Sequence, residues 1–529
     1  MNYRILEPDI SSLLAETGLS SLCLKMIAAS SLSEEQREEL LDTVDDLSDS
    51  FAPCIEQACQ AILEAKKAGQ KIFIAGDYDA DGICATAIMK DLLDHLGIAN
   101  GYYIPNRIKE GYGLSAAKVK AAHARGYNVI LTVDNGVRCH EAITCAHDLG
   151  MKVIVTDHHN AEEEIEADVV VLPELMEEKF AHLCGAGIAL EISRRLIRED
   201  SRHTALAAIA LLGDVMPLWK ENRRIVRRGI SALSRNALPP VTVLFRANER
   251  ITEDSIRFQI VPRLNCVGRL SDRANVNTLV QYLLMKDPVK IDAYRLQLNR
   301  MNELRRSLSA QMVARAEELM GEDPIGIIYD PSFHEGICGL AAGKLARDYQ
   351  RPFVVFARNG DMLKGSGRSI AGFDLYDFLR DAEGIEAYGG HAEALGISLK
   401  EADVEKFRTS VNALARRHPL PKTPAGMEAV KIEADDLSPE QIMELESMRP
   451  YPQELITRCI LLDPEIVSVN TWPRITRAKV RNSRSGCDAV LFPQKGVSWI
   501  DQPRYLLGTP EINRWRDRIS AQIMIEDIG

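Results

Sequence analysis

The sequence predicts an α/β protein in which two α/β lobes are joined by a long helix and followed by a small β-barrel. Three patterns support this fold class. Apolar strands alternate with helical segments from Lys71 onward, an amphipathic stretch runs from about Pro288 to Met320, and short strands return after Lys431. Alternating strands and helices favour a parallel, doubly wound sheet. A chain of 529 residues is also too long for one hydrophobic core, so several domains are expected.

Residues 1–70 are predicted to form an N-terminal helical segment, because apolar residues between Ser33 and Ala68 recur at helical spacing. These residues are Leu40, Leu41, Val44, Leu47, Ile55, Ala58 and Ile62. No apolar run reaches the roughly 18 residues of a membrane span, and Met1–Ser12 lacks a basic stretch followed by an apolar one. We therefore expect a cytoplasmic protein with no membrane partner.

Residues 71–285 are predicted to form the first α/β lobe, with a parallel sheet and intervening helices. The expected strands are Ile72–Ala75, Gly101–Ile104, Val129–Val133, Val153–Thr156 and Val169–Leu172, and the expected helices are Ala85–Leu96, Ala116–Arg125 and Glu141–Leu149. A second helical group is predicted from Gly185 to about Arg235, interrupted at Gly213–Leu218.

Residues 286–322 are predicted to be a connector helix, because one apolar stripe runs along it. The stripe consists of Ile291, Tyr294, Leu298, Met301, Leu304, Leu308 and Met312. Residues 323–418 then form a second α/β lobe, with strands near Gly326–Tyr329 and Phe353–Phe356 and a helix at Gly339–Asp348. The glycine-rich segments Gly365–Arg368 and Gly389–His391 of this lobe are predicted to be loops.

Residues 419–529 are predicted to be a small β-barrel domain, entered through a proline-rich linker at Pro419–Pro424. Its expected strands include Ala478–Val480, Ala489–Phe492 and Ser520–Glu526. The three tryptophans of this region offer either stacking faces for bases or packing for the core and hairpins, and packing is favoured for at least two of them. They are Trp472, Trp499 and Trp515.

Charge and cysteine content limit the possible function classes. The net charge of −12 (64 basic and 76 acidic side chains) argues, taken alone, against nucleic-acid binding. Arg223–Arg273 and Arg474–Arg518 are nevertheless rich in arginine, so the sequence allows a local basic groove, the alternative being solvated arginines on helices. Eleven scattered cysteines without a Cys-x-x-Cys pair indicate reduced thiols and exclude a zinc ribbon.

Three polar loops follow apolar strands of the first lobe, at Asp77–Gly82, Asp134–Gly136 and Asp157–His159. In a parallel sheet such loops converge at one edge, where ligands usually bind. Converging carboxylates repel one another unless they are protonated or neutralised by cations, and Asp with His suits Mn²⁺ or Mg²⁺ better than a structural zinc. The sequence therefore predicts a phosphoesterase with two metal ions.

The first two loops supply the carboxylates of this predicted site. Asp77, Asp79 and Asp81 occupy alternate positions, so an extended loop would point them to one side. Asp134 is the candidate for the carboxylate that bridges two ions, which in such sites lie about 3.5–4 Å apart. An Asp-x-Asp motif taken alone is more often a helix N-cap and a turn.

The third loop and a later aspartate would complete the site. His158 and His159 are adjacent and point in different directions, so one ring can bind metal while the other contacts a substrate phosphate. Asp157 could orient an imidazole from behind. Asp214 lies before an apolar run and would bring a further ligand from a helical segment. Taken alone, a histidine pair is more often a surface pair, and Asp214 could equally be a helix cap.

An ordered series of motifs resembles the DHH phosphoesterase superfamily, and within it most closely the RecJ single-stranded-DNA exonucleases. The resemblance extends from about Lys71 to the end of the chain, where Ile512–Trp515 and Gln522–Asp527 resemble the last strands of an oligonucleotide-binding (OB) barrel. The motifs are Gly76–Gly82, Val133–Val137, Thr156–His159, Cys184–Gly187, Gly213–Leu218, Pro262–Asn265 with Gly268 and Arg269, Gly365–Arg368 and Gly389–His391.

The resemblance implies a 5′→3′ exonuclease that releases mononucleotides from single-stranded DNA, with Mn²⁺ or Mg²⁺ as its two ions. The implied metal ligands are Asp79, Asp81, Asp134, His158 and Asp214, with Asp77 and Asp157 nearby and His159 at a phosphate-binding position. The implied contacts to the DNA backbone and the terminal phosphate are Asn106, Arg107, Arg263, Asn265, Arg269, Ser366, Arg368, Gly390 and His391. A helicase or a single-strand-binding protein is an expected partner.

The sequence departs from the family pattern at three places. Leu172-Pro173 stands where relatives commonly have Asn-Pro, and Glu335 follows His334 where proline is usual. The segment before Asp214 is also shorter than the usual run of small residues. Glu335 near a phosphate path would repel the substrate unless it faces away, so end preference could differ from the family's.

Two other functions remain open from the sequence. A DHH phosphodiesterase acting on cyclic dinucleotides or short oligonucleotides would share the metal loops but would lack the C-terminal barrel. A catalytically inactive scaffold that binds single strands is disfavoured, because every candidate metal ligand is present.

Overall fold

The computed structural model describes residues 3–11, 18–418, 420–421, 427–483, 486–492, 497–515 and 518–529, with the side chain of Trp515 outside this description. The chain divides into two compact units. The larger unit comprises Asp45–Met216 and Glu221–Pro424, and the smaller unit comprises Met1–Val44, Pro217–Lys220 and Ala425–Gly529. Most of the predicted linker Pro419–Pro424 lies outside the described residues.

The strands are labelled in chain order. They are β1 Arg4–Leu6, β2 Ile72–Ala75, β3 Asn100–Tyr103, β4 Val129–Val133, β5 Lys152–Thr156, β6 Val169–Val171, β7 Gly326–Tyr329, β8 Phe353–Asn359, β9 Met362–Arg368, β10 Ala387–His391, β11 Ala394–Lys400, β12 Glu428–Ile432, β13 Cys459–Leu462, β14 Ile466–Trp472, β15 Ile475–Val480, β16 Cys487–Leu491, β17 Tyr505–Trp515 and β18 Arg518–Ile528.

The α-helices are identified by their residue ranges. Those of at least seven residues are Ser21–Ala29, Glu34–Leu41, Pro53–Lys67, Ala80–His95, Ala116–Ala124, His140–Asp148, Gly185–Ile197, Ser201–Gly213, Lys220–Ser234, Val261–Arg269, Asn277–Leu283, Pro288–Leu319, Cys338–Tyr349, Val404–Arg417 and Pro439–Ser447.

The first lobe of the larger unit is the doubly wound sheet that the sequence predicts. Its strand order is β3-β2-β4-β5-β6, and the neighbouring strands pair in parallel. Every residue of β2 and β4 is buried, as expected for parallel strands covered by helices on both faces. The helix Ala80–His95 begins directly after β2, because Asp79 accepts hydrogen bonds from the N–H groups of Asp81 and Gly82 (3.0 and 3.1 Å).

A single long helix, Pro288–Leu319, connects the first lobe to the second and agrees with the predicted connector. Asp287 caps its start by accepting from the N–H of Val289 (2.9 Å), and Pro288 occupies the first helical position, where no N–H is needed. The second lobe contains a mixed sheet with the order β10-β11-β9-β8-β7.

The predicted glycine-rich loops of the second lobe are in fact strands. Gly365 and Gly367 lie in β9 and the Gly389–His391 segment lies in β10. The glycines make room for large cross-strand neighbours: a Cβ on Gly365 would lie 2.5 Å from the ring of Phe356, its partner on β8. Glycine inside a strand often marks such a close approach, which local sequence reasoning mistakes for a turn.

The smaller unit contains an eight-stranded sheet with the order β1-β12-β13-β17-β18-β16-β15-β14. This mixed sheet is compatible with the OB-like barrel predicted from the sequence. Trp499 is partly buried against its core, whereas Trp472 at the end of β14 is 52% exposed. Trp499 therefore has a packing role. Of these two tryptophans, only Trp472 has a ring face that is open for stacking.

The N-terminal prediction for residues 1–70 is wrong in two respects. Residues 4–6 form β1, which pairs in parallel with β12, so the start of the chain belongs to the sheet of the smaller unit. Residues 43–52, which were predicted to be helical, have no regular structure between the helices Glu34–Leu41 and Pro53–Lys67. Periodicity alone could not separate these two helices, because Val44 and Leu47 continue the apolar spacing.

Candidate metal and phosphate site

The three polar loops of the first lobe meet at the carboxyl edge of its sheet. The loops after β2, β4 and β5 leave three neighbouring strands, so their side chains are forced into one region. Beside an overlapping group of Asp134, His158 and His159, two carboxylate-rich groups of possible metal ligands form there, each with ligand atoms within 4.8 Å of one another. One group is Asp77, Asp79 and Asp134, and the other is Asp81, Asp134, His158 and Asp214.

Asp134 is common to both groups, and its backbone is shaped for this position. Its φ of 59° lies in the left-handed region, which aspartate tolerates better than most residues. The start of the helix Gly185–Ile197 approaches it closely, since a Cβ on Gly185 would lie 2.6 Å from the Asp134 Cβ. Glycine is therefore required at position 185 for the helix to reach the cluster.

The ring of His158 lies at the centre of the second group. Its Nε2 atom is 3.1 Å from Asp134 Oδ1, 3.3 Å from Asp214 Oδ2 and 3.6 Å from Asp81 Oδ2. Asp214 reaches this point because it follows the helix Ser201–Gly213 directly, with its N–H donating to the carbonyl of Ala210 (2.9 Å). The short segment before Asp214 thus brings its side chain into the cluster.

A helix N-terminus stabilises the Asp81 carboxylate. The N–H groups of Gly185 and Ala186 each donate to one of its oxygens at 2.6 Å. The first turn of a helix carries partial positive charge, so it favours an anion at this place. Asp81 is completely buried, and these two hydrogen bonds fix both of its oxygens.

Asp157 organises the third loop from behind the cluster. Its carboxylate accepts from the N–H groups of Val137 (3.1 Å), His158 (2.8 Å) and His159 (3.2 Å), and it contacts His159 Nδ1 at 2.7 Å. Burial alone would raise the pKa of Asp157. These contacts outweigh burial and lower the pKa, and the hydrogen bond with His159 contributes most among them. Asp157 thus orients the His159 imidazole and remains outside both groups of possible ligands.

Burial and crowding raise the pKa values of the other carboxyl groups. Burial is the largest cause for all five of them, and neighbouring carboxylates add to it, as Asp79 does for Asp77 and Asp81 does for Asp134. For His158, burial lowers the pKa, but contact with Asp214 and the charge of Asp81 outweigh it and raise the pKa to about 9. A concentration of negative charge at this edge therefore requires protons or cations.

The residues present fit divalent metal ions. The donor set consists of carboxylate oxygens and one imidazole nitrogen, which suits Mn²⁺ and Mg²⁺. Asp77 Oδ1 is buried and has no hydrogen-bond partner among the described residues, so it retains lone pairs for a cation. Two groups that share one aspartate match the need of a two-ion site for a bridging carboxylate.

Stabilisation by Mn²⁺ is expected to grow with pH. Carboxyl groups with pKa values raised by folding bind protons more tightly in the folded chain, so the metal-free protein loses stability as pH rises through those raised values. His158 acts in the same direction up to a pKa of about 9. Mn²⁺ binds the deprotonated side chains and reverses this loss.

This prediction is checked by measuring Tm with Mn²⁺ and with a chelator at about pH 6 and about pH 8. The difference in Tm between the two samples should be larger at the higher pH. A difference that is constant or falls with pH would show that metal binding does not displace protons from this cluster.

A basic cavity adjoins the metal cluster. Its volume is about 440 Å³, and it is lined by Tyr78, Arg107, Ser366 and Arg368 together with backbone from glycine-rich strands β9, β10 and β11. Tyr78 lies between Asp77 and Asp79 in sequence, so the cavity begins beside the cluster. The Arg107 guanidinium stacks 4.9 Å from the centroid of the Tyr78 ring, which holds it over the cavity.

The cations of this region are packed close together. Burial is the largest cause that lowers the pKa values of Arg269 and Arg368, and the nearby Arg107 lowers both further. Arginine stays charged in proteins, so this lowering means that the fold holds positive charges away from water and, to a smaller extent, against their mutual repulsion. An anion in the cavity would relieve that repulsion, and arginine forks match phosphate oxygens.

The two lobes touch at backbone atoms beside the cavity. A Cβ on Gly336, in the second lobe, would lie 1.8 Å from the carbonyl oxygen of Arg269 in the first lobe. Within the first lobe, a Cβ on Gly268 would lie 2.3 Å from the carbonyl oxygen of Tyr78. Both glycines therefore allow contacts that no other residue permits. The contact between Gly336 and Arg269 brings the backbones of the two lobes close together beside the cavity.

Several residues predicted to contact nucleic acid have other neighbours. The Asn106 side chain bonds to Ser271 O (2.6 Å) and accepts from the N–H of Lys109 (3.0 Å), so it shapes the loop that carries Arg107. Arg263 donates to Asn299 Oδ1 on the connector helix (2.8 Å). Neither residue lines the cavity, and their predicted contact with the DNA backbone stays a prediction.

Three further predicted residues have distinct surroundings. Gly390 lines the cavity, with a φ of 141° that favours glycine. His391 is exposed and is absent from the cavity lining, although it lies at the same register position as Arg368, on the opposite side of β11. Asn265 has a buried side-chain oxygen without a hydrogen-bond partner among the described residues.

Sequence reasoning missed Tyr112, Tyr78 and Lys364. The Tyr112 hydroxyl donates to the carbonyl of Asp134 (3.1 Å) and lies 3.2 Å from His159 Nδ1, joining two of the polar loops. Tyr78 and Lys364 line the cavity. The flanking glycines of Tyr112 and the position of Tyr78 within the acidic loop were the available signals, whereas nothing local distinguished Lys364.

Matches to known domains agree with this arrangement. Residues 71–213 match the DHH family, N-terminal domain, and residues 322–417 match the DHHA1 domain. With the metal-type cluster and the basic cavity, these matches define the class of protein as a DHH phosphoesterase.

No helix among the described residues is long and apolar enough to cross a membrane.

Comparisons with whole proteins refine this class. The chain is 30% identical to the single-stranded-DNA-specific exonuclease RecJ of Escherichia coli, over 90% of each protein. It is 29% identical to the RecJ of Bacillus subtilis, over 100% of this chain and 70% of that one. The chain belongs to the RecJ family. A crystal structure of RecJ with Mn²⁺ from Thermus thermophilus shares the fold, with a TM-score of 0.82 at 24% identity over 100% of this chain and 79% of that chain.

Proposed function

We propose that this protein is a divalent-metal-dependent exonuclease that degrades single-stranded DNA from its 5′ end to mononucleotides. The observation that carries the proposal is the position of Asp134, shared by two groups of ligands beside a cavity lined with arginines. Similarity to the RecJ exonucleases of Escherichia coli and Bacillus subtilis supports the choice of substrate.

The metal-binding role is assigned to the first lobe. Asp77, Asp79, Asp81, Asp134, His158 and Asp214 would hold two ions, Mn²⁺ or Mg²⁺. Bound there, the ions would lower the pKa of a water nucleophile and neutralise charge on the leaving oxygen. His159, held by Asp157 and 36% exposed, is free to donate a hydrogen bond to the phosphate that is cleaved.

The phosphate-binding role is assigned to the second lobe and to Arg107. Arg368 and Ser366 lie at alternate positions on β9, and their side chains meet at 2.9 Å, so both face the cavity. A terminal phosphate held there places the first nucleotide between the cavity and the cluster. Cleavage at the cluster would then release one nucleotide at a time.

The test is release of mononucleotides from a 5′-phosphorylated single strand. Release is expected with Mn²⁺, is expected to stop on chelation, and is expected to resume when Mn²⁺ is returned, because the cluster needs cations to hold substrate and water. A labelled duplex of the same sequence is the matched control substrate. Release that persists in the chelator would contradict the proposal.

The same assay separates the alternative functions. Activity confined to cyclic dinucleotides or to oligonucleotides of a few residues would favour the short-substrate phosphodiesterase. Binding of single strands without hydrolysis in Mn²⁺ and in Mg²⁺ would favour the inactive scaffold. The complete set of carboxylates and the adjoining cavity support hydrolysis over binding alone.

The proposal also includes a cellular compartment and a protein partner. All eleven cysteines are free thiols, which supports a reducing compartment such as the cytoplasm. An exonuclease restricted to single strands needs another protein to expose them, so we include a helicase or a single-strand-binding protein as a partner. Its contribution would be measured as duplex degradation that depends on an added helicase.

A further inference from the structure

An acidic side chain lies inside the proposed phosphate cavity. Glu335 lines it together with Arg107, Ser366 and Arg368. The position is unexpected for a cavity that receives an anion, because a carboxylate repels phosphate. Glu335 therefore faces the path of the substrate and does not point away from it.

Two contacts hold the Glu335 carboxylate in place. Asn359, at the end of β8, donates to Oε2 at 2.7 Å, and the Lys364 ammonium lies 3.5 Å from Oε1. The side chain is 21% exposed, so it is partly shielded from water. A carboxylate held by an amide and a cation cannot swing out of the cavity without losing both contacts.

Lys364 belongs to the same row of β9 as the residues assigned to phosphate. Lys364, Ser366 and Arg368 alternate along the strand, so their side chains point to one face of the sheet. All three line the cavity. The ion pair with Glu335 neutralises the Lys364 ammonium. No described carboxylate lies within ion-pair distance of Arg107 or Arg368.

We propose that Glu335 sets the preference of the enzyme for the chemical group at the 5′ end. The carboxylate competes with a terminal phosphate for Lys364 and repels the dianion, so the chain discriminates only weakly between a 5′-phosphate and a 5′-hydroxyl. The inference rests on the proposed function, because it deepens the specificity of the same site. Glu335 acts here as a specificity-determining residue and takes no part in bond cleavage.

The decisive variant is Glu335→Gln, which keeps the size of the side chain and an oxygen for Asn359 while it removes the charge. The measurement is kcat/KM for two single strands of one sequence, one with a 5′-phosphate and one with a 5′-hydroxyl. The ratio of the two values is expected to rise about tenfold, since one charge is removed a few ångströms from the phosphate in a partly shielded cavity.

A double-mutant cycle tests the role of Lys364. Lys364→Met is expected to lower the ratio in the parent, because it leaves the Glu335 carboxylate unneutralised beside the phosphate, and to reverse most of the gain in the Glu335→Gln background. The matched control is Glu405→Gln, which removes a carboxylate paired with Arg408 elsewhere in the second lobe. The control should leave the ratio unchanged.

An unchanged ratio in Glu335→Gln with an unchanged Tm would overturn the inference. An equal loss of kcat/KM on both substrates would also overturn it, because it would assign a structural role to Glu335. Failure of the proposed function looks different, since the parent would then release no nucleotide from either end with Mn²⁺. In that case the ratio of Kd values for the two strands, measured in Mn²⁺, still decides whether Glu335 governs phosphate binding.

Discussion

Asp134→Asn is expected to lower the rate of nucleotide release by about 10³-fold or more. Asp134 is the residue shared by both groups of possible ligands, so its loss would disturb two ions at once. Altering a residue that only orients a metal ligand commonly lowers metal affinity or activity by about 10–100-fold. Loss of a ligand shared by two ions should have a larger effect. The measurement is kcat on a 5′-phosphorylated single strand at saturating Mn²⁺.

Asparagine is chosen because it separates catalysis from folding. It tolerates the left-handed backbone at φ 59° as aspartate does, whereas alanine would add strain. Removing one buried charge from a crowded cluster should leave the Tm in chelator unchanged or raise it, because burial and Asp81 raise the pKa of Asp134. Asp148→Asn, at an exposed position of the same lobe, is the matched control. Retention of more than about a tenth of the activity would contradict the assigned role.

The cluster of candidate metal ligands was predictable because its geometry follows from the strand order. Adjacent parallel strands end at one edge, so Asp77, Asp134 and Asp157 could be placed together from the alternation of strands and helices alone. The sequence could not show that Asp157 lies behind the cluster. That distinction depends on hydrogen bonds to Val137 and His159, which follow from loop conformation.

Elements with distant partners or unusual composition were not predictable. Strand β1 has three residues and pairs with β12, whose sequence lies more than 400 positions away, so no local pattern announces it. The glycines of β9 have low strand propensity but face large neighbours that leave no room for a Cβ, Phe356 at Gly365 and Leu395 at Gly367. In both cases tertiary contacts override the local signal.

The lining of the proposed phosphate cavity was predicted in part. Arg107, Ser366 and Arg368 line one cavity, as the motifs indicated, although they come from two lobes. Asn106 belongs to the same motif as Arg107 but is used to shape its loop. A motif identifies a segment of chain, and only the fold decides which of its side chains faces the ligand.

Gly336→Ala is expected to lower activity about a hundredfold while leaving metal binding intact. The new Cβ would lie 1.8 Å from the carbonyl oxygen and 2.8 Å from the carbonyl carbon of Arg269, and backbone atoms cannot rotate aside. The second lobe must therefore move away from the first by an ångström or more. A misplacement of about 1 Å between a held substrate and the reacting groups can cost about 10²-fold in rate.

The site of damage can be identified by comparing two measurements. The candidate metal ligands all belong to the first lobe, so Mn²⁺ should still raise the Tm of Gly336→Ala by as much as it does in the parent. The release of nucleotides should fall because the cavity no longer holds the terminal phosphate at the right distance from the cluster. Gly321→Ala adds the same methyl group where no atom lies within 4 Å and should leave both quantities unchanged. Full activity of Gly336→Ala would show that the lobes adjust freely and that their contact at Arg269 does not set the catalytic geometry.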